Sequence, residues 1–136
     1  MGLNRRVQRK STNKASANKA LKEIEKVWLE AVGEFKQSGI ALSKSATTLS
    51  KMELPDSIKV RYGSKYGAAI STYNELVTKV DTVDTVSGDL ATLQNMDSLI
   101  FEMHQINMER ISIFEEFTSE ITDAMTTAKE RADEQN

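Results

Sequence analysis

The chain has 136 residues, with 18 Lys/Arg against 20 Asp/Glu, no cysteine, one histidine, one proline and six glycines. Missing cysteines exclude disulfides and thiolate chemistry, and so few turn residues argue against a sandwich or barrel. The apolar share of 39% supports one domain or one elongated bundle, while no apolar run approaches the roughly 18 residues of a membrane span.

Charge is segregated along the chain. Residues 1–26 hold eight Lys/Arg and two Glu, whereas residues 97–136 hold ten Asp/Glu and three Lys/Arg. Such polarity bears on partners more than the total of -2 does. Residues 1–17 read as a flexible basic arm, with Arg5, Arg6, Arg9, Lys10 and Lys14 around two aliphatics, Leu3 and Val7. No apolar h-region follows these cations, so no secretory signal is expected and the default location is intracellular, in the cytoplasm. Met1-Gly2 is a weak myristoylation signal, because Arg6 stands where Ser or Thr is wanted.

The first long helix is expected over 18–52, starting between Ser16 and Lys19. Its heptad places Leu21, Trp28, Phe35, Leu42 and Leu49 on one seam position and Ile24, Ala31, Ser38, Ser45 and Met52 on the other. Large residues facing small ones suit close helix packing. Gly33 and Gly39 lower helix propensity; either a close-packed partner helix explains them or they simply loosen the helix.

Glu53-Leu54-Pro55-Asp56-Ser57 is the first corner, with Asp56 or Ser57 as the cap and Pro55 before it. A second helix is expected over 58–86, with Tyr62, Tyr66, Ala69, Tyr73, Leu76, Val80 and Val83 on its inner face. Its tyrosines follow helical spacing and read as packing residues rather than a stacking row. Gly63 and Gly67 imply either tight helix contact or a weak helix start. The two Val-Asp-Thr copies at 80–85 are read as helical but frayed. Ser87-Gly88-Asp89 forms the second corner, with Gly88 as a left-handed residue and Asp89 or Ser87 as the next cap.

The third helix is expected over 89–132, ahead of a polar tail at 133–136. From Leu90 it would run about 64 Å, longer than a small globular domain is wide. Two seam rows follow: Leu93, Ile100, Asn107, Phe114 and Ile121, and Met96, Met103, Arg110, Phe117 and Ala124. Two readings of the polar pair stand. Asn107 and Arg110 either fix register and oligomeric state, or the helix rotates locally to present Ile106, Ile111 and Ile113. The three helices, about 35, 27 and 43 residues long, define an all-α, elongated antiparallel three-helix bundle with coiled-coil character.

Chemistry-bearing constellations are weak. One histidine, His104, makes an imidazole network unsupported. Glu116 and Glu120 share a helix face, but the Glu-x-x-His signature of a di-metal bundle is missing. Asp81, Asp84 and Asp89 lack calcium-loop spacing, and Gly63-Ser64-Lys65 lacks the glycine-rich loop of a phosphate cradle. No catalytic residue, metal or cofactor is therefore expected.

The expected role is a non-enzymatic structural or adaptor protein. It would form a homo-oligomer, or pair with another helical protein, through an assembly seam of Trp28, Phe35, Ile100, Met103, Asn107, Arg110, Phe114, Phe117 and Ile121. The cations Arg5, Arg6, Arg9, Lys10 and Lys14 would contact an anionic partner. One alternative is sequence-nonspecific nucleic-acid binding through that arm, which would be salt-dependent. Another is anionic membrane-surface binding by the elongated bundle, which the acidic third helix opposes.

Overall fold

A computed structural model of the chain describes the backbone of residues 2–135 and the side chains of residues 17–134. It contains α1 (Gly2–Lys51), α2 (Asp56–Asp81) and α3 (Leu90–Gln135), each packed against the other two. Two short connections make α2 antiparallel to both neighbours, which leaves α1 and α3 parallel. Among the described residues no helix is long and apolar enough to cross a membrane.

The core follows helical periodicity. On α1 the seven-residue row Trp28, Phe35, Leu42 and Leu49 is buried throughout. Ile58, Tyr62, Tyr66, Ala69, Leu76 and Val80 supply α2's share. On α3 the buried row is Met96, Leu99, Met103, Ile106 and Ile113. The expected row Leu93, Ile100, Asn107, Phe114 and Ile121 flanks it instead, and Phe114 is 55% exposed. The cause is geometric: α3 contacts two helices, so its inward direction bisects them and lies to one side of the α1-facing row.

Helix boundaries differ from expectation in four places, one of them the end of α3, which reaches Gln135 where a polar tail was expected from 133. The backbone of α1 is helical from Gly2, ahead of the expected start near Ser16. Pro55 itself occupies the N-cap of α2 without a side-chain cap, and its carbonyl accepts from the Ile58 and Lys59 amides at 3.1 and 3.2 Å. Asp56 instead favours the positive end of the helix dipole from the first turn. Finally, α2 stops at Asp81 rather than reaching Val86. Asp84 Oδ1 accepts the Val86 amide at 3.1 Å, an Asx turn that competes with helix where β-branched residues already weaken it.

The second corner behaves as its residues suggest. Asp89 caps α3 by accepting the Thr92 amide at 2.7 Å, while the Ser87 hydroxyl donates to its other oxygen at 2.7 Å. Ser87 first, then Thr92, hold the Asp89 carboxyl below its usual range. Gly88 has φ +64°, and it precedes the α3 cap rather than closing α2. Its Cα faces Leu21, so the connection folds over α1 near that residue.

Glycines of one kind in sequence separate into two kinds in space. Gly39 lies against the Tyr73 ring: an added Cβ would come within 2.5 Å of the ring's Cε2 and hydroxyl oxygen. Gly33, Gly63 and Gly67 face open space. Close helix approach therefore explains Gly39 alone, and the tight-contact reading of Gly63 and Gly67 is set aside.

Candidate functional site

Because α2 covers α1 and α3 from one side, the opposite side of this parallel pair is an open groove. Shallow depressions follow one another along it. The first is walled by Ile24, Val27, Leu93 and Ile100, with Glu23 and Asp97 at its lips. Next come Ala31, His104 and Asn107, then Gly33, Gln37, Ser38, Ala41 and Arg110. The last is formed by Ser45, Thr48, Leu49, Met52, Phe114 and Phe117, with Tyr66 beneath. Between Leu93 and Phe117 the groove runs about 36 Å, the span of a helix of some 24 residues.

Its ends are apolar and its middle is polar. Ser38, only 3% exposed, donates from Oγ to Asn107 Oδ1 at 2.8 Å, with the Glu34 carbonyl at 3.1 Å as an alternative acceptor. Arg110 Nη2 donates to the same Asn107 oxygen at 2.9 Å. Arg110 Nε is buried and has no acceptor, and no carboxylate among the described residues pairs with this guanidinium. Burial pushes the Tyr66 hydroxyl up, opposed by Ser45 and by the Arg110 charge. The guanidinium is thus held at Nη2 by Asn107 while its buried Nε lacks an acceptor, a costly arrangement for a half-buried charge.

A second polar group ties α2 to α3. Lys65 Nζ meets Glu116 Oε2 at 2.8 Å, and Arg61 meets Glu120. The Tyr62 hydroxyl donates to Glu120 Oε2 at 2.5 Å, while its ring stands edge-on to Phe117 at 5.1 Å. The hydrogen bond to Glu120, then burial, pushes the Tyr62 hydroxyl up to about 12. Reciprocally, the Tyr62 hydroxyl, then Arg61 and Lys65, hold the Glu120 carboxyl below its ordinary range.

These two shifts set opposite pH limits. The raised Tyr62 group stabilises the fold fully below its unfolded value near 10, and that contribution disappears as pH rises toward about 12. The lowered Glu120 group stabilises above the ordinary carboxylate range and loses its contribution as pH falls through the folded value. Tyr62→Phe is therefore expected to lower the melting temperature at pH 7 and to flatten its fall both above pH 10 and in acid. Melting curves across pH check this, and an unchanged alkaline limb would count against it.

The expected site residues fall into distinct groups. Trp28, Phe35 and Met103 are buried in the chain's own core, so they are not open to a partner. Ile100, Asn107, Arg110, Phe114 and Phe117 come together along the groove, and Ile121 is half-buried beyond it. The side chains of Arg5, Arg6, Arg9, Lys10 and Lys14 lie outside the described residues. His104 is exposed on the groove lip. Among the described residues no group of three or more His, Cys, Asp or Glu side chains is arranged to hold a metal.

Sequence reading passed over Val27, Ser38 and Ala41 as groove residues, although Ser38 stood as a small polar residue within an apolar heptad. It also passed over the polar group that ties α2 to α3. Lys65 follows Arg61 by four residues and Glu120 follows Glu116 by four, a matched charge pattern on two helices. No family model, curated protein or solved structure matches this chain.

Proposed function

We propose that this protein is a non-enzymatic structural or adaptor component that self-assembles by seating a further long helix in the α1–α3 groove. Its basic N-terminal segment then recruits an acidic partner. The observation that carries this reading is Arg110. Its buried Nε lacks an acceptor in the polar stretch of a groove whose two ends are apolar. An incoming amphipathic helix with a central carboxylate would satisfy the guanidinium, bury Val27 and Phe114, and convert three helices into four. Val27 is 53% and Phe114 55% exposed without such cover.

Light scattering after size-exclusion chromatography tests it. The full chain is expected to associate in the micromolar range. Phe114→Asp removes apolar cover from one end, and Gly33→Gln adds bulk at a position with open space. Both variants are expected to weaken association at least tenfold, with Gly33→Gln at least as stable as the parent. A monodisperse single chain at all concentrations, or unchanged association of both variants, would sink the proposal. Salt-sensitive binding of a DNA duplex through the basic arm, or of anionic vesicles by the bundle, in a chain that stays single would favour nucleic-acid or membrane binding instead.

A further inference from the structure

The parallel arrangement of α1 and α3 has an electrostatic consequence at the two poles of the bundle. Packing among the three helices begins near Leu21, which touches the connection at Gly88, and ends near Ile121. At one pole α1 starts at Gly2, and residues 2–19 span about 27 Å of helical backbone. At the other, residues 122–135 of α3 span about 21 Å. Every side chain from Thr122 to Glu134 is exposed. One side of this α3 segment is nonetheless apolar, with Ala124, Met125, Ala128 and Ala132 at helical spacing and Met125 68% exposed.

The two segments are complementary. Residues 2–19 carry six Lys/Arg and no acid, whereas residues 115–135 carry seven Asp/Glu and two Lys/Arg. Each charge type also stands at the wrong end of its own helix. The first turn of α1 holds no acid and the last turn of α3 holds no base. A helix dipole prefers anions at the N-terminus and cations at the C-terminus, so each segment is electrostatically unfavourable by itself. Side-by-side overlap with the opposite segment of another copy turns both penalties into attraction. The segments are of comparable length.

We propose that the exposed α3 segment 122–134 is covered by the basic N-terminal α1 segment of a second copy. The contact is heterologous, because different surfaces meet, and its repetition gives a head-to-tail array rather than a closed symmetric dimer. It rests on the self-assembly reading above but uses the poles instead of the groove.

Charge exchange in the full chain provides the test. One variant carries Glu in place of Arg5, Arg6, Arg9 and Lys10; the other carries Lys in place of Asp123, Glu130, Asp133 and Glu134. Both changes bring charge into line with the helix dipole, so helicity and thermal stability are expected to hold or rise. The parent chain is expected to grow in mean mass with concentration at about 0.05 M salt and to fall back at about 0.5 M to the smaller mass that the apolar groove contact alone sustains. Each variant alone should associate at least tenfold more weakly, and an equimolar mixture should recover association. Parent-like association of either variant alone, or a mixture that fails to recover, overturns the polar contact. Loss of association in Phe114→Asp with both charge variants unaffected would retain the groove and refute the array. The reverse pattern would retain the array and refute the groove. A basic segment that binds a DNA duplex while mean mass stays at one chain also overturns it.

Discussion

Phe35→Ala is expected to cost about 3–5 kcal/mol, the range for truncating a fully buried aromatic side chain. Phe35 is 1% exposed at the middle of α1. Its ring centroid lies 4.6 Å from that of Tyr73 at a 40° tilt, and Met103 approaches from α3. All three helices thus contribute to its surroundings, and none can move inward without disturbing the other two. Typical domains have only about 5–15 kcal/mol of net stability, so this single change removes a large share. Urea unfolding should show a lower midpoint with an unchanged slope. A loss below about 1 kcal/mol would mean that the site collapses freely, contrary to the packing described.

Gly39→Ala is a sharper test because two effects predict opposite signs. Helix propensity alone would stabilise the alanine variant by about 1 kcal/mol. Packing opposes it: the new methyl group would enter the Tyr73 ring, whose neighbour is Phe35. Overpacking of this type costs about 1–3 kcal/mol, and the ring cannot retreat without disturbing the Phe35 contact. Net destabilisation of about 1–2 kcal/mol is expected from these terms. Tyr73→Leu in the same chain should recover part of the loss, giving a non-additive double-mutant cycle. A stabilised Gly39→Ala variant would place the α1–α2 contact elsewhere.

The contrast between Gly39 and Gly33 shows where sequence reading stops. Both interrupt the same heptad pattern, yet one supports a tyrosine ring and the other faces solvent. Nothing local distinguishes them, since the difference comes from α2. By comparison, Trp28, Phe35, Leu42 and Leu49 were legible because a seven-residue repeat on α1 needs only one inward direction. On α3 both rows were expected to form the seam, and which of their residues are buried depends on where two neighbouring helices stand. Asp89 was legible as a cap because capping is decided within three residues. The end of α2 was misplaced because an Asx turn at Asp84 competed with a weak helical pattern. For the candidate groove, sequence marked Asn107 and Arg110 as anomalous polar residues. Their shared oxygen contact and the unpaired Arg110 Nε required the positions of α1 and α3 together.

The direction of the three helices also determines how the molecule bears a load. The chain enters the bundle at one pole and leaves it at the other, because α1 and α3 run parallel with α2 returning between them. A pulling force applied through residues near the two poles therefore acts along the helix axes. It must slide whole apolar rows past one another, with the Lys65–Glu116 and Tyr62–Glu120 ties resisting in parallel. Had the ends shared a pole, the same contacts would be peeled apart one at a time. Resistance to such forced separation is governed by the unfolding rate rather than by equilibrium stability.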